Sequence, residues 1–343
     1  MASYSRLNSD DTTVSTDKVV TNAWSADTDT LSTFFTSSTQ AVYTNATSQG
    51  NFYLDVYKDD INITSSAEVQ FSVAYGHKAG SGSENFTNTA GAFGNTAAKV
   101  IYNQYRQLVF GDETSNFNFN GYTPNDIWII NVARGRYKHA LKTNTLNITL
   151  ADGTNNTHLT DDSITVTGSA TITNLGRQFN LVSGSNGIRS GSVLNQTTAG
   201  SGSYGFVYPE AGIIILNGEA MRNRTLAKWP EGAGAIANKQ AQHLYNAFKN
   251  NGGAFQVDSE ERISSQFMFV RVKNNEFNYS SNPSYIDNNG NLNNITMVDS
   301  PTTYITTVGL YNDDNNLLAV AKLSQPLKKD FTTEALIRIK LDY

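Results

Sequence analysis

The last nine residues restrict this chain more than any other stretch. In Ala335–Tyr343 the positions Ala335, Ile337, Ile339, Leu341 and Tyr343 are apolar, with Arg338, Lys340 and Asp342 between them. A two-residue period suits a half-buried β-strand and cannot form one face of a helix. Two more strand-like runs precede it, Tyr304–Tyr311 and Leu317–Leu323. They flank Asn312-Asp313-Asp314-Asn315-Asn316, whose Asn and Asp tolerate the left-handed backbone of a hairpin turn. The expectation is a hairpin, then a third strand that returns to it and pins the C-terminal end in a sheet.

Elsewhere the pattern is also mostly that of strands. Phe52, Leu54 and Val56 alternate with Tyr53, Asp55 and Tyr57, and Val69, Phe71, Val73 and Tyr75 alternate with Gln70, Ser72, Ala74 and Gly76. Asp126–Val132 is a continuous run with Ile127-Trp128-Ile129-Ile130 at its centre, as in a strand covered on both faces. Ile213–Leu216 and Phe267–Lys273 add two more. One helix is expected from an Asn95 cap to Gly111, with Ala97, Ile101, Tyr105 and Leu108 as its stripe. A second covers about Ala235–Lys249, with Ala237, Ala241, Leu244, Tyr245 and Phe248 on one side. The expected class is α+β and strand-dominated, with mixed or antiparallel sheets, two main helices and a small β-rich insertion lobe.

Residues 1–50 are polar with isolated apolar points, and read as an extended N-terminal arm. Trp24, Phe34 and Phe35 are poor choices for a segment left in water, so they are the interface candidates, with packing inside the chain as the alternative. Residues 142–203 form a Thr/Ser/Gly/Asn succession with short alternations at Leu146-Ile148-Leu150, Ile164-Val166 and Phe179-Leu181. They read as an inserted lobe projecting from a main body of residues 51–141 and 204–343.

The chemistry expected of these residues is sparse. No Gly-x-Ser-x-Gly elbow and no phosphate-binding glycine loop occurs, and His77, His139, His158 and His243 stand in no catalytic pattern. The doublets Asp59-Asp60, Asp161-Asp162 and Asp313-Asp314 offer oxygen ligands, and His158 lies three residues before Asp161, but none has EF-hand spacing; turn chemistry is the expected use. With no cysteine, disulfides, thiolate metal sites and a cysteine nucleophile are excluded. We expect no catalytic, cofactor-binding or metal-binding residues, and no enzyme. A net charge of −5 with scattered basic residues argues against a nucleic-acid partner. The short basic runs Lys328-Lys329 and Arg134–His139 read as solvated faces. Met1–Ser9 does not resemble a signal peptide and no apolar run reaches about 18 residues, so a soluble protein without a membrane partner is expected.

Several of these segments also carry a resemblance. Ile305–Tyr311, Leu317–Leu323, Ser324–Phe331 and Glu334–Tyr343 are similar in wording to structural proteins of contractile-tailed, T-even-like bacteriophages of aquatic bacteria. Phe52–Tyr57, Ala67–Phe71, Tyr208–Asn217 and Phe269–Ser280 resemble the same group, so the likeness covers most of the chain in patches and weakens over Asn144–Ser203 and Asn223–Asn251. It implies a structural subunit of the virion, in the tail or baseplate, assembled in the host cytoplasm and present in several copies beside other virion proteins. A neck or head-decoration protein is the alternative, as is a tail-fibre-attachment or receptor protein that binds glycans. Only 16% of residues are charged, against about 25% in ordinary soluble domains, which agrees with a particle protein.

Overall fold

The computed structural model describes residues 4–37, 53–83, 96–165, 170–190, 203–224, 231 and 240–343. It divides into a larger unit, Val19–Glu261, and a smaller one made of Met1–Lys18 and Arg262–Tyr343. The first strands are β1 (Thr12–Asn22), β2 (Thr30–Leu31), β3 (Tyr53–Tyr57), β4 (Val69–His77), β5 (Asp126–Val132) and β6 (Ala140–Leu141). Next come β7 (Asn147–Ala151), β8 (Asn156–Asp161), β9 (Thr171–Thr173), β10 (Gly176–Ser185), β11 (Ile188–Arg189), β12 (Gly205–Tyr208) and β13 (Ile213–Asn217). The last are β14 (Ala254–Gln256), β15 (Asp258–Val272), β16 (Thr303–Tyr311), β17 (Leu317–Lys329) and β18 (Ala335–Asp342). The helices are α1 (Ala97–Phe110), α2 (Gly218–Arg224), α3 (Gln240–Lys249) and the single turn α4 (Thr296–Asp299). The α+β, strand-dominated class expected from the sequence is the one observed.

The larger unit is built on one sheet in the order β2-β14-β7-β8-β10-β12-β13-β5-β4-β3, with β9 and β11 attached to β10. Every pairing along it is antiparallel. Strand β5 lies between β4 and β13, and its side chains alternate between two cores. Trp128, Ile130 and Val132 join Phe71, Val73, Ile214 and Leu216 with Ala241, Leu244, Tyr245 and Phe248 of α3. Ile127 and Ile129 join Ala74, Ile213 and Ile215 with Tyr102, Tyr105 and Val109 of α1. A helix on each side of the sheet is why Ile127–Ile130 of β5 is an unbroken apolar run. Each large side chain fully buried in this way contributes about 1.5–3 kcal/mol.

Helix α1 is capped by Thr96, whose hydroxyl accepts from the Lys99 amide at 3.3 Å and donates to the Gly80 carbonyl at 2.7 Å. It ends at Gly111, where a φ of 75° favours a residue without a side chain. The expected stripe is turned by about one residue: Ala98, Tyr102, Tyr105 and Val109 are buried, whereas Leu108 is exposed. The stripe of α3 is as expected from Ala241 to Phe248. Asn95, Ala235, Ala237 and Val166 lie outside the described residues.

Two expected boundaries are corrected. The described residues of 142–203 do not project as a lobe, because β7, β8 and β10 fill the sheet between β14 and β12. Leu146, Ile148, Leu150, Leu159, Phe179 and Leu181 face the same core as the central strands. The polar composition there comes from outward positions and turns, such as the Asn186-Gly187 turn with φ of 54° and 72°. Residues 19–37 are not a free arm either, since β2 pairs with β14 and Leu31 is buried.

In the smaller unit β15 pairs with β18, from Ser265 opposite Asp342 to Val272 opposite Ala335. Ile337 and Ile339 are buried while Leu336, Arg338 and Lys340 point outward, so the alternation in the C-terminal strand has the expected sense. Its partner differs from expectation: β16 and β17 form a separate two-stranded sheet, and β18 does not return to it.

Candidate functional site: an uncovered hairpin

The hairpin β16–β17 runs from the pair Thr303/Lys329 to the pair Tyr311/Leu317, with irregularities between Ile305 and Thr307 and between Leu310 and Tyr311. Its turn is organised by Asn312, whose side-chain oxygen accepts from the amides of Asp314 at 3.1 Å and Asn316 at 2.7 Å. Asn315 takes the left-handed conformation there, at φ 62°. The aspartate doublet thus sits in the turn, as its composition suggests. Strand β17 continues well past Leu323, through Pro326, which an edge strand accommodates because a ladder N–H is not needed on its free side.

The base of this hairpin is anchored. Lys329, expected on a solvated face, is fully buried. Its ammonium donates to the Asn274 carbonyl at 2.8 Å, the Asn278 side-chain oxygen at 2.8 Å and the Asp330 carbonyl at 2.9 Å, so all three protons have acceptors. Opposite it, the Thr303 hydroxyl donates to the Phe277 carbonyl at 2.7 Å. Away from this anchor cover is sparse, with Tyr4 meeting Tyr311 edge-on at 5.2 Å: Tyr304 is 61% exposed, Val320 58% and Leu318 69%. Tyr311, Leu317 and Leu327 are exposed too. A lone two-stranded sheet is marginal in water, and clustered exposed apolar side chains mark interaction surfaces.

The interface residues expected from the sequence lie elsewhere. Trp24 and Phe34 are inside the core of the larger unit, 6.2 and 6.1 Å from the Phe71 ring centroid. Trp24 also meets Phe255 edge-on at 4.8 Å, and Phe34 meets Phe248 at 5.3 Å. Phe35 is half-buried and its backbone bridges Tyr57 in both directions, at 2.9 and 2.8 Å. Five clustered rings gave no signal in the local sequence, because the partners lie far apart in the chain, from Trp24 to Phe255, and only the tertiary fold joins them.

A buried charged group in the larger unit was also missed. Asp126, at the head of β5, receives both arms of the Arg222 guanidinium at 2.7 and 2.9 Å and the Tyr75 hydroxyl at 3.2 Å. Arg222 also reaches Glu219 at 2.9 Å, and Glu231 holds Asn125 at 3.2 Å and His77 at 3.4 Å. Burial pushes the Asp126 carboxyl up, and the Arg222 fork opposes this. Burial, with Asp126 beside it, likewise pushes the Tyr75 hydroxyl far above its ordinary value, so it stays a donor. Any side chain at Gly218 would collide with the Asp126 carboxyl. With its carboxylate oxygens engaged by Arg222 and Tyr75, the group acts as a lock between α2 and the ends of β4 and β5. A charge heading an otherwise apolar buried run was the available clue.

The other polar features are also engaged locally. Asp161 accepts from the amides of Asn144 and Ser163 at 2.9 and 3.0 Å, whereas His158 is an odd number of residues away on β8, on the opposite face, against Thr149. Asp162 holds the Asn180 amide and side chain at 2.9 Å each. His243 is half-buried, and burial lowers its proton affinity. A cleft of about 350 Å³ lies beside Trp24, where Arg136 pairs with Glu68 at 2.7 Å and Asn22 holds Asp27. Among the described residues no helix is long and apolar enough to cross a membrane. No protein-family model, curated protein or solved structure matches the chain.

Proposed function

We propose that this chain is a structural subunit of a contractile-tailed phage virion, in the tail or baseplate, and that it works by protein–protein assembly through its smaller unit. The observation that carries the reading is the uncovered hairpin, a pair of strands with an anchored base and apolar side chains in solvent. The resemblance to phage structural proteins supports it, because the strings Ile305–Tyr311, Leu317–Leu323 and Glu334–Tyr343 all fall in that unit. Its partners are other virion proteins, with several copies of the chain in each particle. Docking would cover Leu317, Leu318 and Val320 and complete a core that the unit lacks.

The test is quantitative mass spectrometry of gradient-purified particles from a phage encoding this chain, scaled to a tail protein of known stoichiometry. A low copy number divisible by six is expected. Absence from the particle would refute the reading.

A further inference from the structure

We infer that the free edge of β16 is a homotypic contact: two copies of this chain pair β16 with β16 in antiparallel fashion about Thr307, joining two hairpins into one four-stranded sheet. This deepens the assembly reading and rests on it.

The two edges of the hairpin are unlike. Strand β17 carries the exposed Lys328, Lys322 and Pro326, and charged side chains and proline are the devices that keep edge strands from pairing with other chains. Strand β16 reads Thr-Tyr-Ile-Thr-Thr-Val-Gly-Leu-Tyr over nine residues, with no charge and no proline. It pairs only with β17, so one row of its backbone groups is open to another strand among the described residues.

Three features select a second copy as the occupant. An uncharged strand can lie against itself across a two-fold axis without setting like charges opposite one another. The hairpin also has an acidic tip, Asp313 and Asp314, and basic Lys328 close to its base, where it pairs with Asp330 at 3.2 Å beside the buried Lys329, leaving the base one positive charge in excess. Antiparallel pairing sets the tip of one copy alongside the base of the other, whereas parallel pairing would set like ends together. Finally, two two-stranded sheets that are each marginal become one of four strands, within the range of independently stable sheets. A two-fold contact is also closed, so pairing stops at the dimer.

The absence of cysteine makes the test direct. In the full-length chain, Thr307→Cys introduces a single thiol on the proposed axis. Residues directly opposite in an antiparallel pair are about 4.5–5.5 Å apart at Cα, within reach of a disulfide. Mild oxidation is expected to convert most of this variant to a covalent dimer, and to leave Ser324→Cys, on β17 of the same hairpin, largely monomeric. Sedimentation of the unmodified chain is expected to show a reversible dimer that Thr307→Lys weakens at least tenfold, with unchanged thermal melting as the check that this variant folds. A monomer at all concentrations, a dimer indifferent to Thr307→Lys, or equal cross-linking of both cysteine variants would overturn the inference. Particle incorporation is scored separately, so a monomeric chain found in virions overturns this pairing and leaves the assembly reading standing.

Discussion

The two units of this chain solve the problem of burial differently. The larger unit lays a helix on each side of its sheet and gathers both apolar clusters, from Ala23 to Val257. In the smaller unit the buried hydrophobic residues are Val272, Ile337 and Ile339, while Leu317, Leu318, Val320, Phe331 and Leu336 stand in solvent. Composition does not separate them, since both are rich in Thr, Asn and β-branched residues. What differs is whether the chain supplies a second layer. A sheet with one covers itself; a sheet without one leaves apolar side chains in solvent.

That contrast can be broken by mutation. The largest effect is expected at Phe71, whose ring meets Trp24, Phe34, Phe248 and Phe255. Phe71→Ala should cost about 3–5 kcal/mol in chemical denaturation. A loss below about 1 kcal/mol would mean that the larger unit is not held by this core. Next is Arg222→Ala, which leaves Asp126 buried and uncompensated and should also cost about 3–5 kcal/mol. Replacing Asp126 by Asn in the same protein should recover part of that loss.

The smaller unit should respond less, and differently. Lys329→Met leaves three oxygen acceptors near the hairpin base without their donor. A cost of about 1–3 kcal/mol is expected, read as faster amide exchange confined to Asn274–Asn278 and the base of β16–β17. Exchange that rises equally in the larger unit would show that the Lys329 anchor is not local to the hairpin. The smallest effect is expected from Leu318→Ser, within about 0.5 kcal/mol for the isolated chain because the side chain is already in water. Its penalty should appear only in particle incorporation, and a marked loss of stability in the isolated chain would place Leu318 in a core.

What could be read from the sequence follows the same division. The burial of β5 on both faces was legible because the four successive apolar residues Ile127–Ile130 leave no polar side to turn to water. The inward face of β18 was legible from its period, and the turn at Asn312–Asn316 from its residue types. Partners were not. Alternation states which face of a strand is dry but not which strand lies beside it, so β18 was assigned to the neighbouring hairpin when it pairs with β15 some seventy residues earlier. The same limit made Trp24 and Phe34 look like contacts for another molecule, since the rings that receive them arrive from β4, α3 and β14. The lobe expected at 142–203 failed on composition: Thr, Ser and Asn on the outward side of β7, β8 and β10 conceal an inner side of Leu, Ile and Phe. Lys329 was misread because no local pattern distinguishes a lysine in water from one ringed by oxygen atoms brought from fifty residues away.

The uncharged edge of β16 also sets a time limit on the newly made chain. An open, proline-free strand accepts any extended segment it meets, and wrong pairings accumulate with concentration as readily as right ones. On the proposed assembly role, the unassembled molecule would be the vulnerable form, and the interval between synthesis and incorporation would decide how much material is lost. That loss would be visible as yield, which should fall when this chain is made well ahead of whatever covers it.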